Sequence, residues 1–134
     1  MVYMFLNGGA MRGGPLHHHL KDAVFVGEAD SAPRYHFYGI RDECPGMIPA
    51  PSPEEGKTVH GELYDIPLET LEADLLPNEP VELELGAVKL ADGRASFAMI
   101  LRKEWLGHPD LTDLSEHGSW NRHLETLKSE EVKK

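Results

Sequence analysis

Apolar and alternating positions divide the chain into about six predicted strands. A strand is expected where β-branched and aromatic residues cluster, or where apolar and polar residues alternate, between turn-forming residues. The segments that fit are Val2–Leu6, Ala23–Ala29, Arg34–Ile40, Thr58–Ile66, Val81–Leu90 and Ala95–Leu101. The turn Ala91-Asp92-Gly93 predicts that the last two form a hairpin.

Helical patterns are few and short. Leu16–Leu20 predicts one helical turn, and Trp120–Leu127 predicts a short helix. A third pattern ends at Pro77 and places four leucines on one helical face, namely Leu68, Leu71, Leu75 and Leu76. These helices are too few to provide a crossover after each strand. We therefore predict an α+β fold, a small mixed β-barrel of about six strands with two or three short flanking helices, and not a doubly wound nucleotide fold.

Two segments have the composition of loops. The stretch from Cys44 to Gly56 holds four prolines, and Trp105–Ser119 holds one proline and two glycines. We interpret residues 1–104 as a barrel domain and residues 105–128 as a C-terminal loop and helix packed on that domain. Residues 129–134 have the charge pattern of a frayed tail.

Length and charge narrow the classes of function. The 134 residues amount to one domain, and 23 acidic against 13 basic residues give a formal net charge of −10. That charge disfavours binding to nucleic acid or to anionic membrane surfaces. The single cysteine, Cys44, excludes a disulfide framework and a cysteine-based zinc site within one chain. We expect a cytoplasmic protein, because no segment reads as a signal peptide or a membrane span.

A glycine-rich turn, Asn7–Gly14, follows the first strand and is the first candidate site. Glycines let backbone N–H groups converge on a ligand, so this turn is able to hold a carboxylate or an oxyanion. A tight strand–helix connection explains the same composition equally well. Arg12 lies within the turn, either as a partner for a substrate carboxylate or as an exposed structural arginine. The turn matches neither nucleotide-binding glycine motif.

Carboxylates and histidines supply the other candidates. Glu79 lies in a P-N-E-P segment between helix and strand, where a partly enclosed carboxyl would move protons. Glu82 and Glu84 occupy alternating positions of a predicted strand and are expected to share one solvated face. The run His17-His18-His19 cannot chelate one ion, since consecutive helical side chains point about 100° apart. One of these histidines as a proton carrier remains an alternative.

Taken together, these residues resemble the γ-glutamylcyclotransferase-like (AIG2-like) family. The family opens with a strand ending in Y-G-[ST]-L, followed by small residues and a short helix. Met4–Leu20 reads M-F-L-N-G-G-A-M-R-G-G-P-L-H-H-H-L, with Asn7 at the motif's tyrosine and Gly8 at its glycine. Gly9 then stands at the Ser/Thr and Ala10 at the leucine. The strand V-H-G-E-L-Y-D-I precedes Glu79 by about the family's interval.

Within that family the chain is most similar to the C-terminal domain of allophanate hydrolase. Four short patterns recur in order over the span Val2–Leu101, in addition to G-G-A-M-R-G-G-P-L. They are S-A-P-R-Y-H-F-Y (Ser31–Tyr38), P-G-M (Pro45-Gly46-Met47), V-H-G-E-L-Y-D-I-P (Val59–Pro67) and L-G-A-V-K-L-A-D-G-R (Leu85–Arg94).

The resemblance implies a barrel whose cavity has the glycine loop as its floor and a carboxylate at its mouth. It implies a small-molecule substrate, carboxylate or amide, and no cofactor or metal. It assigns acid–base catalysis to Glu79 and substrate binding to the loop residues Asn7, Gly8, Gly9, Ala10, Met11 and Arg12. In γ-glutamyl cyclotransferases the α-amine attacks the γ-carbonyl and releases 5-oxoproline.

Two departures keep other functions open. Asn7 replaces the motif's tyrosine, and Ala10 replaces the histidine base of the allophanate hydrolase domain, for which His17 is the nearest substitute. The leading hypothesis is a γ-glutamylcyclotransferase-like enzyme that acts on a small γ-glutamyl or related acyl-amine compound. The alternatives are a non-catalytic accessory or small-molecule-binding module, and a decarboxylase-like domain that acts on a carbamate through His17 or His19. A homodimer paired through edge strands also stays open.

Overall fold

Eight strands form one curled, mixed sheet. The structure is a computed structural model that describes residues 2–132 except 15, 21, 42 and 117, with side chains as far as Lys128. The strands are β1 (Val2–Leu6), β2 (Val24–Asp30), β3 (Tyr35–Ile40), β4 (Cys44–Pro49), β5 (His60–Ile66), β6 (Leu83–Lys89), β7 (Ala95–Leu101) and β8 (Leu111–Asp113). The predicted α+β fold is confirmed as a half-barrel with more strands than the six expected.

β7 organises the sheet, because two strands share one of its edges. β6 pairs antiparallel along the whole of the other edge. On the shared edge, β1 runs parallel with Phe5 opposite Ala98, and β4 runs parallel with Met47 opposite Ile100. The sheet therefore forks into a β1-β5-β2 branch and a β4-β3-β8 branch. A bridge between Ser31 and Leu90 joins the end of β2 to the end of β6 and curls the sheet toward closure.

Helical segments cover the ends of the sheet. A turn over His17–Leu20 follows the glycine loop, and short turns occupy Pro53–Glu55 and Lys103–Trp105. The segment α1 (Leu68–Thr70) continues as a wide π turn over Leu71–Leu75 and a tighter turn over Leu76–Asn78. The final helix is α2 (Trp120–Val132). None of the helices in the described residues is long and apolar enough to cross a membrane.

One main core lies inside the curled sheet. Its largest fully buried side chains come from β1, β3, β5 and the helical segment after β5, and they include Phe5, Phe37, Leu63, Ile66, Leu71 and Leu75. Burial of each of these side chains contributes about 1.5–3 kcal/mol. Trp120 at the start of α2 joins the same cluster. The C-terminal segment therefore packs on the barrel, and β8 adds to it by pairing with β3.

Several sequence expectations need correction. The segment predicted as an irregular loop from Cys44 contains β4, whose prolines stand near its two ends, where a missing N–H costs few ladder bonds. The predicted loop Trp105–Ser119 contains β8. Leu68 is 60% exposed, so the predicted apolar face begins at Leu71.

The C-terminal prediction also changes. α2 runs to Val132, past the predicted end at Leu127, because its amphipathic pattern gives way to polar residues that are also good helix formers. The first four residues of the tail predicted at 129–134 therefore belong to the helix. Residues 133 and 134 lie outside the described residues.

Substitution of Gly61 tests how closely β1 and β5 pack beside the glycine loop. A Cβ at this position would lie 2.3 Å from the Leu6 carbonyl oxygen, so Gly61→Ala forces the backbone apart. We expect this variant to lose about 3 kcal/mol in the free energy of unfolding, measured by urea denaturation.

Gly86→Ala is the matched control for Gly61→Ala. Its Cβ would contact only the flexible Ile100 side chain, the nearest atom being Cδ1 at 2.2 Å. Because the nearest atom is the far end of a flexible side chain that is only partly buried, we expect a loss of about 1 kcal/mol or less. Equal losses in the two variants would contradict this description of the β1–β5 junction.

Candidate active site

A cavity of about 250 Å³ opens where the two branches of the sheet separate. The end of β1 and the glycine loop form one wall, and the start of β4 forms the opposite wall through Cys44 and Pro45. The segment Asn78–Pro80, between α1 and β6, forms the third side. The fork thus brings the glycine loop and Glu79, 65 residues or more apart in the chain, to one cavity.

The Glu79 carboxyl is the most strongly perturbed acid of this cavity. Its backbone N–H donates to the Leu76 carbonyl oxygen (3.2 Å), which ends the helical segment and directs the chain between Pro77 and Pro80. Burial raises the pKa of Glu79 to about 7, and no hydrogen bond or ion pair among the described residues offsets that effect. Near neutral pH this carboxyl therefore both accepts and donates a proton.

The three loop residues Gly8, Gly9 and Ala10, which line the cavity, have carbonyl groups that accept hydrogen bonds from within the protein. The Gly8 oxygen accepts from the Met11 N–H (3.0 Å), and the Gly9 oxygen accepts from the Leu16 N–H (2.8 Å). The Ala10 oxygen lies 3.1 Å from the Nδ1 atom of His17. Within the described part of the chain, no acceptor is bonded to the N–H groups of Gly9 and Ala10. Gly9 and Ala10 line the cavity, which suits their amides to an oxyanion.

The loop packs against the opposite wall without room for a side chain. A Cβ at Gly8 would lie 2.6 Å from the side chain of Pro45. Asn7 is buried, and its Nδ2 group lies 3.1 Å from the sulfur of Met47 in β4. A glycine is therefore required at position 8, because the loop approaches Pro45 closely. The tight strand–helix connection considered for this turn accounts for this glycine.

Arg12 and Met11 belong to the loop but do not line the cavity. Arg12 donates from its backbone N–H and from Nε to the two oxygens of Glu62, each at 2.9 Å, and its guanidinium stacks 4.1 Å from the ring of Phe25. Burial acts to raise the pKa of Glu62, but hydrogen bonds from Arg12 and Tyr64 outweigh it and lower that pKa. Met11 is buried in the core. Arg12 therefore anchors the loop to β5.

His17 also lies outside the cavity, on the helical turn behind the loop. Its Nδ1 atom is engaged with the Ala10 carbonyl, and its ring centroid lies 6.1 Å from that of Tyr64. His18 is exposed. Among the predicted site residues, the fold thus brings Asn7, Gly8, Gly9, Ala10 and Glu79 together, and it leaves Met11, Arg12 and His17 in supporting positions.

Arg41 and Glu43 stand at the mouth of the cavity, and sequence reasoning did not select either of them. Arg41 has a positive φ of 53° and binds three carboxylates: Glu82 at 2.6 Å, Asp110 at 3.3 Å and Glu43 at 3.5 Å. The hydrogen bond from Arg41 lowers the pKa of Glu82, although burial opposes it. The mouth therefore carries more negative than positive charge.

This geometry corrects the expectation for Glu82 and Glu84 and shows where Cys44 lies. Glu82 and Glu84 do not share a solvated face, because Glu82 precedes β6 and is buried against Arg41, whereas Glu84 is exposed and pairs with Arg102. Cys44 lines the cavity, and burial raises the pKa of its thiol to about 11. The sequence analysis did not predict that this segment lies beside the glycine loop.

The curled, mixed sheet with its few short helices is a γ-glutamylcyclotransferase-like fold. A mouse AIG2-like protein of known structure superposes with a TM-score of 0.56 at 22% identity, with coverage of 82% of this chain and 85% of that one. The chain belongs to the allophanate hydrolase C-terminal domain family, whose model matches residues 2–125.

The chain is similar to a protein of about its own length and to parts of much longer proteins. A uropathogenic E. coli-specific protein of known structure is 32% identical, with a TM-score of 0.84 over 92% of this chain and 95% of that one. Kluyveromyces lactis allophanate hydrolase is 20% identical with a TM-score of 0.85, over 94% of this chain but 21% of that one. Urea amidolyase of Lachancea kluyveri is 24% identical over 98% of this chain, which spans only 7% of that relative.

The raised pKa of Glu79 predicts a pH-dependent stability. The folded chain keeps this proton up to about pH 7, whereas an ordinary glutamate ionises near 4.5. Its contribution to stability is therefore complete below about pH 4.5 and is lost as the pH rises through 7. Between pH 5 and pH 8, the free energy of unfolding of wild type should fall by about 2 kcal/mol relative to that of Glu79→Gln. This is less than the whole pKa shift would give, because the carboxyl is partly exposed.

Urea denaturation at a series of pH values measures this difference. The exposed Glu84 provides the matched control, and Glu84→Gln should follow the pH dependence of wild type. Parallel curves for wild type and Glu79→Gln would show that the Glu79 carboxyl is not desolvated.

Proposed function

We propose that this chain is a cyclotransferase-like enzyme that acts on a small γ-glutamyl or related acyl-amine compound. The observation that carries the proposal is the pairing of a desolvated carboxyl, Glu79, with the Gly9 and Ala10 amides on one cavity. A volume of about 250 Å³ lies below the ~300–1,000 Å³ of pockets for drug-sized ligands, which favours a small substrate.

The proposed reaction is an intramolecular acyl transfer. The α-amine nitrogen of the substrate attacks its own γ-carbonyl carbon, and the carbonyl oxygen gains negative charge in the tetrahedral intermediate. The N–H groups of Gly9 and Ala10 donate to that oxygen. Their hydrogen bonds stabilise it most in the transition state, when negative charge develops on it. Holding the amine and the carbonyl in one small cavity lowers the entropic cost of ring closure.

Glu79 carries the proton through the reaction. As a carboxylate it takes the proton that the attacking amine loses, and as a carboxylic acid it delivers that proton to the leaving amine as the γ-amide bond breaks. The products are 5-oxoproline and a free amine, and no water is consumed. A pKa of about 7 suits both steps, because both forms of the carboxyl are populated near neutral pH.

The charge at the mouth favours particular leaving groups. Arg41 is neutralised by three carboxylates, and the Glu43 side chain is 69% exposed. An acidic leaving group would meet repulsion there, whereas a neutral or cationic amine would not. We therefore propose γ-glutamyl amines, rather than γ-glutamyl acidic dipeptides, as the preferred substrates.

Release of 5-oxoproline from a panel of γ-glutamyl dipeptides and γ-glutamyl amines tests the proposal. Wild type should turn over at least one compound, and Glu79→Gln should lose at least about 100-fold in kcat, the usual worth of a positioned acid–base group. Below pH 7 the wild-type kcat/KM should fall as Glu79 becomes protonated in the free enzyme. Glu84→Gln should behave like wild type.

Two results would overturn the assignment in different ways. Full turnover by Glu79→Gln would remove Glu79 from the chemistry while retaining a cyclotransferase. No turnover of any compound by the folded wild type would reject the cyclotransferase and leave a module that binds a small carboxylate or carbamate. A decarboxylase that uses His17 has less support, because the Nδ1 atom of that ring is engaged with the Ala10 carbonyl.

A further inference from the structure

His17 is the one side chain bonded to a carbonyl group of Gly8, Gly9, Ala10 or Met11 within the described residues. Backbone N–H groups satisfy the other three oxygens, from Met11, Leu16 and Gly14. The Ala10 oxygen is an acceptor only, so the Nδ1 atom at 3.1 Å must carry the hydrogen and donate it. This bond selects the Nδ1–H tautomer of the neutral ring.

The hydrogen bonds to the loop carbonyl groups determine where the N–H groups of the loop point. In a planar trans peptide, the C=O of one residue and the N–H of the next point in opposite directions. The Gly8 carbonyl is held by Met11, so the Gly9 N–H points the other way; the Gly9 carbonyl is held by Leu16, so the Ala10 N–H also points the other way. Those two N–H groups are the proposed oxyanion donors.

His17 acts on this arrangement through the Ala10–Met11 peptide. Its carbonyl end is held by His17, and its N–H end is the donor to the Gly8 carbonyl. Loss of the His17 bond would free this peptide to rotate, and the Gly8 carbonyl would then lose its partner. A Gly8–Gly9 peptide released in this way can turn its oxygen toward the cavity in place of the Gly9 N–H.

We infer that His17 is a positioning residue, which holds the oxyanion-binding amides of Gly9 and Ala10 toward the cavity through its bond to the Ala10 carbonyl. The inference rests on the proposed function for its catalytic consequence, but the orientation of the loop is a property of the free protein. The ring is itself supported, since it contacts Tyr64, whose hydroxyl donates to Glu62, the anchor of Arg12.

Four variants separate the hydrogen bond from the bulk of the ring. His17→Leu removes the donor at similar volume, and His17→Asn retains an N–H donor near the position of Nδ1. His17→Asp has the shape of Asn but only acceptor oxygens at neutral pH. His18→Leu, on the exposed neighbour, is the matched control.

Steady-state kinetics on the best γ-glutamyl substrate gives the first readout. His17→Leu and His17→Asp should lower kcat at least about tenfold with KM changed less than about threefold, since oxyanion donors act on the transition state. His17→Asn should recover most of the rate, and His18→Leu should match wild type. Equal rates for His17→Asn and His17→Asp would overturn the inference.

Backbone amide NMR of the free protein gives a second readout that does not depend on turnover. The Gly9 and Ala10 signals of His17→Asn and His18→Leu should overlay on wild type, whereas those of His17→Leu and His17→Asp should shift. If the wild type turns over no substrate, the proposed function fails and these signals still decide the role of His17. Unchanged signals in His17→Leu would refute it.

Discussion

The architecture depends on the sharing of one β7 edge by β1 and β4. Both strands run parallel to β7, and each pairs with only a short part of it, through Phe5 in one case and Met47 in the other. Beyond those contacts the two branches must separate, and the chain that leaves β1 has to turn within the gap. The glycine loop makes that turn, which explains why its peptides, rather than side chains, line the cavity.

Placement of the loop in that gap explains its composition. Close approach to Pro45 excludes a side chain at Gly8, and the carbonyl groups of Gly8, Gly9 and Ala10 are satisfied by donors within the protein. An irregular segment normally satisfies its N–H groups with backbone, side chains or water. In this loop the oxygens of Gly8, Gly9 and Ala10 are bonded within the protein, whereas the N–H groups of Gly9 and Ala10 have no acceptor among the described residues, which leaves these two amides available to the oxyanion that we propose.

Glu79 lies beside these amides and has no cationic partner among the residues that the structure describes. Buried carboxylates elsewhere in the molecule are paired: Glu62 with Arg12, and Glu82 with Arg41. Pairing lowers the pKa of each of them, whereas burial alone raises the pKa of Glu79. The same residue type is thus paired at positions 62 and 82, whereas at position 79 it has the raised pKa that the proposed proton carrier needs.

Local patterns in the sequence predicted much of this structure, and long-range contacts account for what they missed. β1 and β7 matched their predicted bounds, because apolar runs bounded by turn residues depend on local chemistry. β4 and β8 were missed, since prolines obscure the first and three residues are too few to signal the second. Glu79 and the glycine loop were selected by resemblance and by loop chemistry. Resemblance and loop chemistry did not reveal Arg41 at the cavity mouth, because its position depends on how the branches of the sheet fold together. They also missed the hydrogen bond between His17 and Ala10, because it depends on the exact path of the loop, which residue types alone do not define.

The proposed chemistry requires that Glu79 bind its proton far more tightly than an ordinary glutamate does. Carbon-detected NMR of the side-chain carboxyl carbon, followed from pH 3 to pH 9 on the whole chain, measures that affinity without substrate or turnover. The account predicts a titration midpoint near 7, well above the ordinary glutamate value of 4.5. A midpoint near 4.5 would show a solvated carboxyl and would contradict the assignment of Glu79 as the proton carrier of the cavity.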